Sequence, residues 1–521
     1  MYPYVMDGAV LPHSVACPLF RAGVSPGPDI LELLQDGKTV YQADGDSTGI
    51  LPPQPPGGPY SLKIGDQTFE DIYFGEVYLL AGQSNMQLPV ARCLDPMPQR
   101  FHTMVNPLIR EIRLDVSPSY DKNNMTWPGH SGWRHLQPDT LLAFSALGVA
   151  FAEARFGETG IPIGLISAAA GGTPIEAWMP HEDLQDAPDL LETFGKYQDT
   201  STRQSLSREY QNRAGRWLRE AKVKDTDLLT LSAAEKSRLP WQEAVPADLF
   251  FGTEYEEQPG VYWLRCRFEL DAQQLRYFES EAERGSLRLD LGALVDADRS
   301  YLNGRKVGDT GYMYPPRRYP VKAGLLRAGT NEILIRLSVY RHTGGRIPGK
   351  FYGLVSREQN LDLDAYGSWH VLQTVKMKEL PDPTFWDRMA GTCFYSYIQP
   401  IEGLPLTAVL WYQGESNDSN PEPYEERFKR LIRRYQAIFP GPLPFVYVQL
   451  AEYDDPVRQI PEGSWALIRE AQKKALDLPH TAMVDSQGCG EWNDLHPQQK
   501  WILGERMAEQ LKQVLAQRHD T

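Results

Sequence analysis

The chain has 521 residues, of which 41% are hydrophobic and 23% charged, and its formal net charge is −15 at pH 7. That length exceeds one ordinary core and points to roughly two to four globular domains. The acidic balance argues against nucleic acid or an anionic membrane surface as a partner, and no apolar run approaches the ~20 residues that span a bilayer.

Residues 1–73 are rich in Gly and Pro and carry short alternating runs such as Tyr60-Ser61-Leu62-Lys63-Ile64, the pattern of a small β-domain with many turns. The opening residues Met1–Asp7 have neither a charged nor a continuous apolar leader segment, so a cytoplasmic location is the expectation. Five scattered cysteines (Cys17, Cys93, Cys266, Cys393, Cys489) form no CxxC or Cys/His cluster. Reduced thiols and no zinc site are therefore expected.

From residue 74 the pattern turns to strand, loop and helix. Val77–Ala81, Ile163–Ile166, Thr407–Tyr412, Phe445–Leu450 and Thr481–Asp485 read as strands. Helical spacing marks 144–156, 424–438, 465–476 and the C-terminal segment. Short, wholly apolar strands alternating with helices imply a parallel sheet covered on both faces. The series is interrupted by a charged, helix-prone stretch (183–245) and a strand-rich, turn-punctuated one (246–365). Asn303-Gly304 in the latter is a two-residue hairpin signal. The domains read as 1–73, 74–182, 183–245, 246–365 and 366–521, with the α/β domain split by a β-sandwich of jelly-roll type.

Ser84 lies in Gly82-Gln83-Ser84-Asn85-Met86, directly after the first buried strand. A glycine at a strand end admits a tight turn that lifts a hydroxyl into a cleft. Met86 stands where the usual α/β-hydrolase elbow needs a second glycine, which points away from that fold. Serines in such turns also satisfy local backbone groups, so the pentapeptide alone leaves both roles open. A nucleophilic serine needs a base, oxyanion donors and a group that orients the base. His496, in Asn493-Asp494-Leu495-His496-Pro497, is the candidate base, with Pro497 in a first-turn slot of the last helix. Gln413-Gly414-Glu415-Ser416-Asn417 packs polar side chains onto an apolar strand end; Asn417 can donate its amide, or the loop can simply cap the next helix. In Ala170–Trp178, Gly172 can offer its N–H, although close packing also explains its glycines. Glu176 and Trp178 fit a sugar site or a structural role equally well.

Together, Gly82–Met86, Ala170–Trp178, Trp411–Asn417 and Asp494–Pro497 resemble, in that order, the SGNH hydrolases, and more narrowly the sialate O-acetylesterase-like carbohydrate esterases. The resemblance implies a flavodoxin-like three-layer α/β/α esterase that removes O-acetyl groups from sugars and needs no metal or organic cofactor. Ser84 would be the nucleophile and His496 the base. Gly172 and Asn417 would join the Ser84 N–H at the oxyanion, and Gln83, Gln413 and Glu415 would contact substrate. The expected partner is an acetylated carbohydrate, either a sialic acid or an acetyl-xylan fragment, with self-association left open. A sugar-binding protein with a degenerate esterase domain is the competing class. One position departs from the family: Asn493 stands three residues before the histidine, where an aspartate is usual. Asp494, a backbone carbonyl or Glu415 would then support His496.

Overall fold

The computed structural model describes residues 1–20, 30–43, 49–93, 98, 101, 103–243, 249–454 and 463–517. The chain forms two compact units. The first comprises Met1–Thr200, Phe385–Tyr453 and Ile460–Thr521; the second comprises Ser201–Thr384 and Asp454–Gln459. No helix among the described residues is long and apolar enough to cross a membrane. All five cysteines are buried.

The first unit is built on a large mixed sheet. Its central strands are β1 (Gln67–Gly82), β2 (Asn106–Leu114), β3 (His130–Leu136), β4 (Ile163–Ser167), β5 (Ala408–Tyr412), β6 (Phe445–Val448) and β7 (Thr481–Val484). Across the sheet they run β7-β6-β5-β1-β4-β2-β3. All neighbours are parallel except the edge pair β2 and β3, which is antiparallel. The wholly parallel sheet expected from the sequence therefore gains an antiparallel edge. The apolar runs read from the sequence are the buried cores of β1, β4, β5, β6 and β7, and every residue of β4, β5 and β6 is buried.

β1 is longer than its apolar run. Its first half pairs with the N-terminal strands Val10–Pro12 and Gly57–Ile64, and residues such as Leu33, Leu62 and Phe74 join the same apolar cluster as Leu79 and Leu80. The helices α1 (Ala146–Thr159) and α4 (Lys500–Gln517) pack together, as do α2 (Tyr424–Ile438) and α3 (Ser464–Lys474). A Cβ on Gly504 of α4 would lie 2.5 Å from the Ala150 side chain of α1, so this glycine sets how closely the two helices approach.

The chain visits β2 and β4 on one side of β1 and then β5, β6 and β7 on the other. This reversal leaves a crevice at the carboxyl ends of the central strands, the place where open α/β sheets bind ligands. The second unit carries a six-stranded and a four-stranded sheet, both antiparallel. Leu264 and Ile335 of the larger sheet and Leu289 and Leu354 of the smaller one belong to a single apolar cluster. Asn303 (φ 48°) and Gly304 (φ 79°) form the hairpin turn signalled by the sequence.

Candidate active site

The Ser84 loop is shaped by a close backbone approach. Gly82 ends β1 with φ 117°, and a Cβ there would collide with the Tyr412 carbonyl of β5. Only glycine lets the two strand ends run this close. Gln83 N–H then donates to Tyr412 O at 2.9 Å, and Ser84 opens a single helical turn, Ser84–Gln87. As the first residue of that turn, Ser84 presents an N–H with no acceptor inside it. Ser84 Oγ lies 3.0 Å from His496 Nε2, hydrogen-bonding distance across 412 residues of sequence.

His496 is 7% exposed, and its segment is fixed through the backbone. Its N–H donates to Asp494 Oδ1 at 2.9 Å, its carbonyl accepts from Gln498 Nε2 at 2.9 Å, and the preceding Leu495 carbonyl accepts from Asn85 Nδ2 at 3.0 Å. Asp494 thus holds the histidine's main chain. The last helix begins at Lys500, three residues beyond Pro497, so the proline belongs to the loop and not to the first turn.

The third loop lies against Ser84. A Cβ on Gly171 would sit 3.4 Å from Ser84 Cβ, and Gly171 N–H is taken by Gln87 Oε1 at 2.9 Å. Gly172 follows with φ 76°. A Cβ on Gly172 would strike the guanidinium of Arg388, an exposed residue that also covers the Phe385 ring at 3.7 Å. Asn417 is buried beside this loop. Its Oδ1 accepts from Ile175 N–H (3.0 Å) and Gln413 Nε2 (2.7 Å), while its Nδ2 donates to the Glu176 carboxylate at 3.1 Å. Glu176 is in turn ion-paired with Arg427 at 2.5 Å. Trp178 is fully buried, edge-on to Trp411. Both residues left open by the sequence are therefore framework.

Gln83, Gln413 and Glu415 were expected to meet substrate, and the structure buries all three within the loops around Ser84. They are 1%, 0% and 3% exposed. Gln83 Oε1 accepts from Gly414 and Ser416 N–H, and Gln413 bonds Asn417, the Thr173 carbonyl and the Tyr424 hydroxyl. Glu415 accepts from Asn85. Bonded to groups of neighbouring loops, these buried side chains tie the loops together and leave little surface for a ligand.

Asn85 is the hub of that frame. Its amide donates to Glu415 and the Leu495 carbonyl, and its Oδ1 accepts from Lys500 Nζ at 2.6 Å. One side chain therefore joins the loops bearing Ser84, Glu415 and His496. Lys500 is fully buried, with its ammonium 5.0 Å from the Tyr412 ring centroid. Burial lowers its pKa to about 8 and raises that of Glu415 to about 7. His496 is pushed down to about 3, first by burial and then by the positive charges of Lys500 and Arg92. His496 is thus held neutral over the whole physiological range, the state a general base requires. Asn85, Lys500, Arg388 and Arg427, the partner of Glu176, were not singled out in the sequence. The adjacency of Asn85 to Ser84 was the one available signal.

Comparison with known proteins places this site in a class. Residues 75–203 and 387–513, which carry all four loops, match the family described as carbohydrate esterase, sialic acid-specific acetylesterase. The sialate O-acetylesterases of Pongo abelii and Homo sapiens are each 27% identical to the chain, over 214 and 212 residues respectively. These alignments cover 35% of this chain and 39% of each relative, so the chain matches well under half the length of those curated proteins. The crystal structure of a carbohydrate acetylesterase from Xanthomonas citri matches 99% of this chain and 75% of its own, at 21% identity with a TM-score of 0.53, and shares its fold. The chain belongs to the sialate O-acetylesterase-like carbohydrate esterases.

Proposed function

We propose that this chain is a serine esterase that removes O-acetyl groups from carbohydrates through an acetyl-serine intermediate. The observation that carries the reading is the 3.0 Å contact between Ser84 Oγ and His496 Nε2 at the crevice of the sheet. Ser84 Oγ attacks the acetyl carbonyl while Nε2 takes its proton. The N–H groups of Ser84 and Gly172 and the second amide proton of Asn417 receive the oxyanion. The sugar hydroxyl leaves with the proton from His496. A water activated by His496 then releases acetate and restores Ser84. Asp494 contributes by fixing the backbone of the base. The fold reading that accompanies this is an SGNH-type α/β/α domain interrupted by a helical stretch and a β-sandwich.

Among acetylated sugars, the family match and local charge favour an acidic one. Arg388 lies over Gly172 and the charge of Arg92 acts on His496, so two arginines stand near Ser84 in an otherwise acidic protein. The test is acetate release from O-acetylated sialic acid, acetylated xylo-oligosaccharides and acetylated hexoses. The acidic sugar is expected to be cleaved with the highest kcat/KM. Faster cleavage of the neutral esters would overturn the substrate reading, and no release from any of them would overturn the reaction.

A further inference from the structure

The second unit holds a cavity of about 550 Å³ that the esterase chemistry does not use. The size suits a mono- or disaccharide, since small-molecule sites commonly run from roughly 300 to 1,000 Å³. The helix Thr200–Lys224 forms one wall, and the larger sheet of this unit forms the other. Two aromatic pairs line it. Tyr301 stacks on the buried Trp263 with centroids 6.3 Å apart, and Trp217 meets Tyr340 at 5.3 Å. Half-buried Tyr301 and Tyr340 provide the apolar faces on which pyranose C–H edges rest.

The polar lining is fixed in advance. Asp225 accepts from Arg336 Nε (2.6 Å), Trp263 Nε1 (3.3 Å) and Thr374 Oγ1 (2.5 Å). Arg336 also donates to Ser338 Oγ at 3.3 Å. A guanidinium has five N–H donors, so donors of Arg336 remain for a ligand at a position that needs no reordering. Beside this rigid pair stand Arg219, Lys222 and Arg299, which line the same cavity and make no ion pair among the described residues. Asp309, also in the lining, is paired with Lys306 at 3.1 Å. Asp298, paired with Arg317 at 2.9 Å, and Asp227 also line it, so among the described residues its charges outside ion pairs are three cations against one carboxylate, a balance that favours anions. The carboxylates of Asp225 and Asp309 repel a polyphosphate but accept hydroxyls. A ring that carries one carboxylate and several hydroxyls suits every part of the lining.

We infer that the second unit carries a binding site for acidic saccharides, separate from the Ser84 crevice and independent of whether that crevice is an esterase. The test uses the full chain and a sialyl-oligosaccharide without O-acetyl groups, titrated by calorimetry. Lys222→Ala/Arg299→Ala changes two exposed side chains and is expected to weaken binding about tenfold or more, the loss of one good charged contact. Its melting temperature and its hydrolysis of p-nitrophenyl acetate should match the parent. Tyr301→Ala should weaken binding as well, through the lost ring face. Equal affinity in parent and double variant, or no binding by the parent, would overturn the site. Equal affinity for the neutral parent oligosaccharide, or displacement by inorganic pyrophosphate at the same concentration, would overturn its assignment to acidic sugars.

Discussion

Ser84→Ala is expected to lower kcat/KM for p-nitrophenyl acetate by about 10⁴-fold or more, with the melting temperature moving by no more than about 1 °C. In the proposed reaction the serine hydroxyl bonds the acetyl carbon, so its loss would remove the covalent route entirely. What would remain is the proposed oxyanion donors, Gly172 and Asn417, polarising the ester for slow attack by water. The fold should hardly register the change. Ser84 is half-buried, and the turn around it is built from backbone bonds and from Gly82, neither of which involves the hydroxyl. Steady-state kinetics and a thermal melt on the same preparation check both halves. A variant that keeps more than a tenth of the parent activity would remove Ser84 from the chemistry.

Lys500→Met is expected to act on both stability and pH dependence. The ammonium is fully buried and donates to Asn85 Oδ1, which in turn links Glu415 and the Leu495 carbonyl. Removing it leaves the buried Asn85 Oδ1 without its donor, a change that costs about 1–3 kcal/mol. Glu415 already has its pKa raised to about 7 by burial, and loss of the nearby cation raises it further, so the part of the cost carried by Glu415 is recovered as pH falls and the carboxyl takes up a proton. The same substitution removes one of the two cations that depress His496. In the parent, kcat/KM should stay level as pH falls from 7 to about 4, because the free base protonates only near 3. In Lys500→Met that acid limb should move upward, towards the ordinary histidine value of about 6.5. Urea unfolding and a pH–rate profile measure the two effects. An acid limb near 6.5 in the parent itself would contradict the proposed electrostatics.

The parts of the molecule that were legible from sequence are those governed by local pattern. Five strands of the central sheet announce themselves as short apolar runs because both of their faces are covered. Gly82 marks the turn before Ser84, since only glycine tolerates that approach to Tyr412. The strand Asn106–Leu114 escaped notice although Arg110 and Glu111 within it are buried. Its polar side chains are satisfied by groups remote in sequence: Arg110 donates to the carbonyls of Gly8 and Asp71, and Glu111 accepts from the Ser145 N–H. No local pattern encodes such partners.

The same limit explains the site. A polar tip on an apolar strand reads as exposed or functional, which is why Gln83, Gln413 and Glu415 suggested contacts to a substrate. The third solution, mutual burial of polar groups from separate loops, becomes visible only when the loops are brought together. Lys500 is the clearest instance. A lysine at the start of a surface-like helix looks solvated, yet it is wholly enclosed behind the nucleophile loop. Asn493, where the family pattern has an acid, drew attention to what orients His496. The structure fixes the main chain of that segment through Asp494, Gln498 and Asn85.

Active-site labelling with a fluorophosphonate, followed by peptide mapping, tests the proposed role of Ser84 directly. One equivalent of label is expected on Ser84, with loss of esterase activity in step with labelling and no label on Ser84→Ala. Label on a different residue, or an unlabelled protein that still hydrolyses acetyl esters in excess reagent, would contradict it.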